Sequence, residues 1–338
     1  MLKSRVPACR ACSRCGPSAW ARPMHANRVS SAIIWPCWLH DAKRSFPHLF
    51  QNRCMAQPRT ISNGTDPAPF GRYAPKGLIA RLLSWTRSAP LSWAGKRRAF
   101  FLRAWAVRRL RGAPLDVEAL GANMRLYPYN NVCEKRILFT PQYFDAAERQ
   151  FLRSRLKPDF VFIDIGANIG GYSLFIGAHA GPRAHILAIE PQPEIFERLT
   201  YNIGQNPFAT IKALACAAAD RDGDITLFVD AQNQGQTSMR IVNSSGGGRT
   251  IRVPAKALAS IVAQERYDHV DAIKLDVEGA EDLILEAYFR GAPAHLWPRI
   301  LLIENEPSRW TLDLHGLIAA HGYVEALRTK SNIAYERA

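Results

Sequence analysis

Four acids stand at the ends of four short apolar runs: Asp164 after VFI, Glu190 after HILAI, Asp276 after IKL and Glu304 after ILLI. Each run reads as a buried strand, and in an open α/β sheet the ligand crevice lies beyond the carboxyl ends of the strands. Carboxylates gathered there repel one another unless something cationic joins them. Helix capping is the competing use of such acids. Lys274, beside Asp276 within a strand expected to be buried, calls for a paired charge or a ligand.

The most informative of the four is Asp164, because VFIDIGANIGG (161–171) turns through Gly166 and opens a helix near Gly170. Glycines let the backbone approach a ligand, and a helix start offers free amides. A dinucleotide site needs G-x-G-x-x-G to seat a pyrophosphate. Here the spacing is D-x-G-x-x-x-G, with an acid just before the turn. S-adenosylmethionine fits that spacing better than a nicotinamide cofactor, since it has no phosphate and carries an α-amino group for Asp164 to bind. Glu190 follows 26 residues after Asp164, at the end of the second strand, where an acid accepts both hydroxyls of a ribose.

The elements that position these residues follow from periodicity. Strands are expected at 161–165, 185–189, 211–216, 272–275 and 300–303, with helices at 171–179, 194–203, 280–289 and 312–321. This alternation predicts a mostly parallel sheet with helices on both faces. Residues 224–229 and 250–253 read as added antiparallel strands. A strand pair at 124–127 and 137–139 precedes a helix over 145–156. The polar, Gly-rich stretch 232–248 is a candidate lid.

At these residues the chain resembles the FkbM family of methyltransferases, within the Rossmann-like class I S-adenosylmethionine enzymes. The resemblance rests on FIDIGANIGGYS (162–173), AIEPQPEIFERLTYNI (188–203), AAADRDGDITLFV (217–229), NQGQTSM (233–239), IKLDVEGAE (273–281) and LLIENEP (301–307), and it covers roughly 120–336. It implies O-methylation of a hydroxyl on a sugar, glycolipid or polyketide, with S-adenosylmethionine as cofactor and a small molecule or glycan as acceptor. It implies that Asp164, Gly166, Ala167, Asn168 and Gly170 hold the methionine end of the cofactor and Glu190 the ribose, with Asp220 near the adenine. Asp276 and Glu278 are expected to flank the methyl-transfer site. Asp276, Glu278 and Glu304, in that order, are candidate bases for the acceptor's proton. An N-methyltransferase on the same scaffold is the alternative, and a cofactor-binding protein without catalysis is a third reading. The acids could bind Mg²⁺, but nothing in their spacing demands a metal.

Charge divides the chain. Residues 1–112 carry a net +19, and 113–338 a net −4, within a total of +15. The basicity therefore belongs to the leader, and no nucleic-acid partner is expected. Residues 1–70 lack any sustained period and read as an unstructured or misassigned leader, with a targeting segment or a metal site at Cys9, Cys12 and Cys15 as alternatives. Residues 71–115 read as a basic arm leading to a catalytic domain over 116–338. In that arm, 77–111 contains no acid and forms two amphipathic helices broken near Pro90. Either their apolar faces pack on the domain, or they contact an anionic membrane. Only Cys133 and Cys216 lie beyond residue 54, which points to a reducing, cytoplasmic setting, peripheral to the membrane if the arm binds lipid.

Overall fold

The computed structural model describes residues 66–208, 210–229, 237–238 and 249–337. The cysteine-rich leader and nearly all of the lid stretch 232–248 lie outside the described residues. Two helices come first, α1 (Gly77–Arg87) and α2 (Trp93–Leu110), broken around Pro90 as the sequence predicts. Ser92 caps α2 by accepting a hydrogen bond from the Gly95 amide.

Next come the antiparallel hairpin β1 (Leu115–Ala119) and β2 (Ala122–Leu126), then α3 (Val132–Phe139) and α4 (Ala146–Arg153). This corrects the strand pair expected at 124–127 and 137–139. The partner of β2 is β1, and Ile137, Leu138 and Phe139 form the last turn of α3. Asn131 fixes the start of that helix by accepting from the Glu134 amide, and the three apolar side chains are fully buried. A short, wholly buried apolar run has no periodicity that separates strand from helix.

Alternation then sets in: β3 (Val161–Ile165), α5 (Gly171–Ala180), β4 (His185–Ile189), α6 (Pro193–Gly204) and β5 (Ile211–Leu214). After an inserted sheet made of β6 (Ala217–Ala219), β7 (Gly223–Val229), β8 (Thr237–Ser238) and β9 (Arg249–Ala257), it resumes through α7 (Leu258–Glu265), β10 (Ala272–Leu275), α8 (Glu281–Gly291) and β11 (Ile300–Glu304). The described chain closes with α9 (Leu314–Ala320), β12 (Tyr323–Arg328) and β13 (Asn332–Arg337). The main sheet runs β12-β13-β11-β10-β3-β4-β5, with β11 through β5 parallel and β12 and β13 antiparallel.

Period-2 alternation divides the core between the two faces of this sheet. Phe162, Ile186, Ala272 and Leu302 pack with α3, α4 and α5, whereas Ile163, Leu187, Ile273 and Ile303 pack with α7, α8 and α9. The fold is therefore a doubly wound α/β sandwich of the Rossmann-like kind. Each buried Ile or Phe contributes about 1.5–3 kcal/mol. The expected strand 211–216 ends early, at Leu214. The chain then leaves the main sheet, because Ala217 and Ala219 pack into a separate small core with Leu227, Val253 and Ala255, pairing β6 with β9.

Strand order reverses between β3 and β10: the chain adds β4 and β5 on one side of β3, and β10 and β11 on the other. Such a reversal opens a crevice at the carboxyl ends of the two strands.

Candidate active site

β3 delivers Asp164 and Ile165 into the crevice, and the following turn is tightly held. The amides of Gly166 and Ala167 both donate to the Ile189 carbonyl, each at 3.0 Å, which ties the turn to the end of β4. Gly166 sits at φ +74°, and a Cβ there would stand 2.0 Å from the Asp276 carbonyl oxygen. Only glycine permits that approach. Asn168, also left-handed at φ +51°, accepts from the Ile169 amide at 2.9 Å and from Asn131 Nδ2 at 2.7 Å.

Two cavities meet on this turn. One spans about 580 Å³ with the open solvent at its mouth and is lined by Glu190, Pro191, Ala217, Ala218, Leu227 and Glu278, among others. The second, of about 480 Å³, is lined by Cys133, Arg136, Asp145, Asp164, Tyr172 and Lys274, among others. Gly166, Asn168 and Asp276 line both.

Glu190 is buried, and its two carboxylate oxygens accept from the amides of Asn168 and Gln192, each at 2.9 Å. Burial outweighs those bonds and pushes its carboxyl up to about 7. Asp164 is 1% exposed, and its Oδ2 accepts from the Ser173 amide (3.0 Å) and hydroxyl (2.6 Å). Its Oδ1 has no hydrogen-bond partner and lies 3.9 Å from Lys274 Nζ. Burial raises the Asp164 carboxyl against the opposing pull of Lys274.

Lys274 faces Asp164 in register across the β10–β3 ladder. Its ammonium donates to Asp276 Oδ2 at 2.9 Å and lies 5.1 Å from the centre of the Tyr172 ring. Burial alone would lower the ammonium, but Asp276 and Asp164 together raise it. The charge pairing that the sequence called for at Lys274 is thus made within the protein.

Beyond β10 the chain enters a strained turn, with Glu278 at φ +59° followed by Gly279 at φ +108°. Buried Glu281 holds this turn, accepting from the amides of Val277 (3.1 Å) and Gly279 (3.3 Å) and from Trp310 Nε1 (3.1 Å). Arg309 pairs with Glu278 and, at 2.9 Å, with Glu306. Carboxylate oxygens of Asp276, Glu278 and Glu304 lie within 4.8 Å of one another. Burial, then the neighbouring Asp276 and Glu278, push Glu304 up to about 9.

Of the residues singled out in the sequence, Gly166, Asn168, Asp276, Glu190, Asp164, Ala167 and Glu278 line one or both cavities. Gly170 lies behind them as the N-cap of α5, packed against Leu199. Asp220 is exposed beside Arg221 and lines neither cavity. The sequence did not single out Arg136, Asp145, Tyr172 or Cys133. They reach the second cavity from α3, α5 and the loop before α4, and no common spacing links them.

Comparison with known proteins bears on this crevice directly, since residues 164–324 match the methyltransferase FkbM domain. The chain is similar to the 31-O-demethyl-FK506 methyltransferase FkbM of Streptomyces tacrolimicus, at 27% identity over 58% of this chain and 81% of that protein. It is likewise similar to the methyltransferase sdnD of Sordaria araneosa, at 25% identity over 55% of this chain and 79% of the relative. A third relative, the AMB antimetabolite synthetase AmbE of Pseudomonas aeruginosa, is 26% identical over 51% of this chain. The match spans about a tenth of the length of AmbE, 10%. The acid-ended strands, the glycine turn and the domain match coincide on one stretch of chain, and residues 164–324 form a methyltransferase FkbM domain.

Proposed function

We propose that this methyltransferase uses S-adenosylmethionine to methylate a hydroxyl oxygen of a sugar, glycolipid or related natural product. The observation that carries the reading is the pair of cavities meeting at Gly166, Asn168 and Asp276. Their chemistry suits the two ends of the cofactor. The first combines the buried carboxylate of Glu190 with apolar Ile189, Ala218 and Leu227, suitable for ribose and adenine. The second offers Asp164 Oδ1, which has no hydrogen-bond partner, suitable for an amino group. Asp220, exposed and outside both, is left with a role at the rim of the adenine side at most.

When bound, the sulfonium supplies the methyl group. The protein's part is to orient the acceptor and to take its proton. Asp276 is the base in this reading: Lys274 fixes one carboxylate oxygen, and the other is left for the acceptor hydroxyl. Glu278 is engaged by Arg309. Glu304, with its carboxyl near 9, is protonated at neutral pH and serves as a donor rather than a base. The name of the Streptomyces relative, which specifies an O-methyl position, favours oxygen over nitrogen as the acceptor.

The test is transfer of labelled methyl from S-adenosylmethionine by the full chain to a panel of glycans and polyols. Label in an alkali-stable ether, lost by about 10²-fold or more with Asp276→Asn, is the expected result. Label on amines alone would overturn the oxygen assignment.

A further inference from the structure

The helices ahead of the catalytic domain leave their largest aromatics on the outside. In α2 the buried residues are small, namely Gly95, Ala99 and Ala106, with Leu102, Val107 and Leu110 packed half-buried beside them. The large aromatics occupy the opposite side: Trp93 is 73% exposed and Phe101 75%, with Phe100 and Trp105 also exposed. At 100° per residue, Trp93, Phe100 and Phe101 share that outer face with Arg97 and Arg108, and Trp105 lies at its margin. Helix α1 buries large residues, Leu82 and Leu83 with Thr86, yet it too leaves Leu78, Arg81 and Trp85 (52% exposed) along its outer side. Leu91, between the helices, is 77% exposed.

The arm packs an apolar face on the domain, through Leu82, Leu83 and Ala106, as one reading of the sequence has it, but a second set of apolar side chains stays outside among the cations. Outward aromatics cost solvation free energy unless something covers them. The cations are interleaved with them rather than segregated: Arg97 lies 4.8 Å from the centre of the Trp93 ring, Arg103 4.4 Å from Phe100 and Arg109 5.5 Å from Trp105. Residues 77–111 carry nine Lys and Arg and no acid.

We propose that the outer face of α1 and α2 docks the protein on an anionic lipid surface. Trp and Phe seat at the boundary between headgroups and acyl chains, while Arg and Lys meet the lipid phosphates. Charge complementarity selects this partner over a neutral apolar one, and exposed aromatics on a helix face select it over a duplex, whose outer surface is charged phosphate. Docking would be peripheral, since among the described residues no helix is long and apolar enough to cross a membrane.

The test is co-sedimentation of the full chain with phosphatidylcholine vesicles, with and without phosphatidylglycerol, and in parallel its binding to duplex DNA. The expected result is partition onto the anionic vesicles, weakened by about tenfold or more in a Trp93→Ser, Phe101→Ser, Trp105→Ser variant that keeps every cation. An Arg97→Gln, Arg108→Gln variant should weaken the same partition, which keeps the test decisive if the aromatic variant folds poorly. Binding to anionic vesicles that is equal in parent and variants, binding to DNA but not vesicles, or a switch in oligomeric state with no vesicle binding would each overturn the proposal.

Discussion

Lys274 and Asp276 close a 2.9 Å ion pair at the end of β10, and the same ammonium reaches to 3.9 Å of Asp164 on the neighbouring strand. One buried cation thus serves two acids that flank the crevice. Removing it by Lys274→Met takes from Asp164, 1% exposed, the positive charge that faces it across the ladder. The expected loss is about 3–5 kcal/mol near neutral pH, smaller in mild acid where the carboxyls take up protons. Urea unfolding at two pH values measures both the loss and its direction.

Glu304 and Asp276 separate by substitution. A carboxyl pushed to about 9 is neutral at pH 7, and Gln mimics a neutral acid. Glu304→Gln is therefore expected to retain turnover within about threefold, whereas Asp276→Asn loses about 10²-fold or more with little change in cofactor affinity. Steady-state rates of the two variants side by side decide the assignment. Equal losses would make Glu304 a charged participant.

Much of this site was legible because its acids follow the strands that hold them. β3, β4 and β10 fall at the residues where apolar runs predict them, and each run ends where an acid begins. Elements whose partners lie far along the chain were not legible. The apolar triplet 137–139 looks like a strand until Asn131 caps the helix that contains it. The break at Leu214 depends on β9, nearly forty residues on. The hairpin of β12 and β13 shows mixed exposure, and only pairing with β11 reveals it. The orientation of Trp93 and Phe101 was invisible for a related reason: amphipathicity gives two faces without saying which one packs.

Gly166 and Gly170 differ in what surrounds them. A Cβ on Gly166 would meet the Asp276 carbonyl at 2.0 Å, whereas on Gly170 it would meet the end of the Leu199 side chain at 2.9 Å. Both have positive φ, which costs an L-residue about 1–2 kcal/mol. Gly166→Ala should therefore destabilise by more than Gly170→Ala and lose cofactor binding as β10 is pushed away. Thermal unfolding of the two variants, with and without S-adenosylhomocysteine, checks the order.

Glu190 makes stability depend on pH. Its carboxyl is raised from 4.5 to about 7 by burial, so the folded state binds more protons than the unfolded chain between those values. Its contribution to stability is present below about 4.5 and is lost as pH rises through about 7. Relative to the parent, Glu190→Ala should gain up to about 3 kcal/mol between pH 5 and pH 8. Denaturant midpoints of the ligand-free proteins measure it; no slope would place the carboxylate in a better-solvated site, and a slope of opposite sign would mean that the amides of Asn168 and Gln192 outweigh burial.

The most direct measurement of the account is calorimetric titration of the full chain with S-adenosylhomocysteine and, separately, with NADH. Parent protein should bind the sulfur nucleoside and ignore NADH. Glu190→Ala should bind it roughly 10- to 150-fold more weakly, as expected for hydrogen bonds to a charged group worth about 1.5–3 kcal/mol. Binding of NADH with no binding of the sulfur nucleoside, or undiminished binding by Glu190→Ala, would contradict the assignment of this crevice.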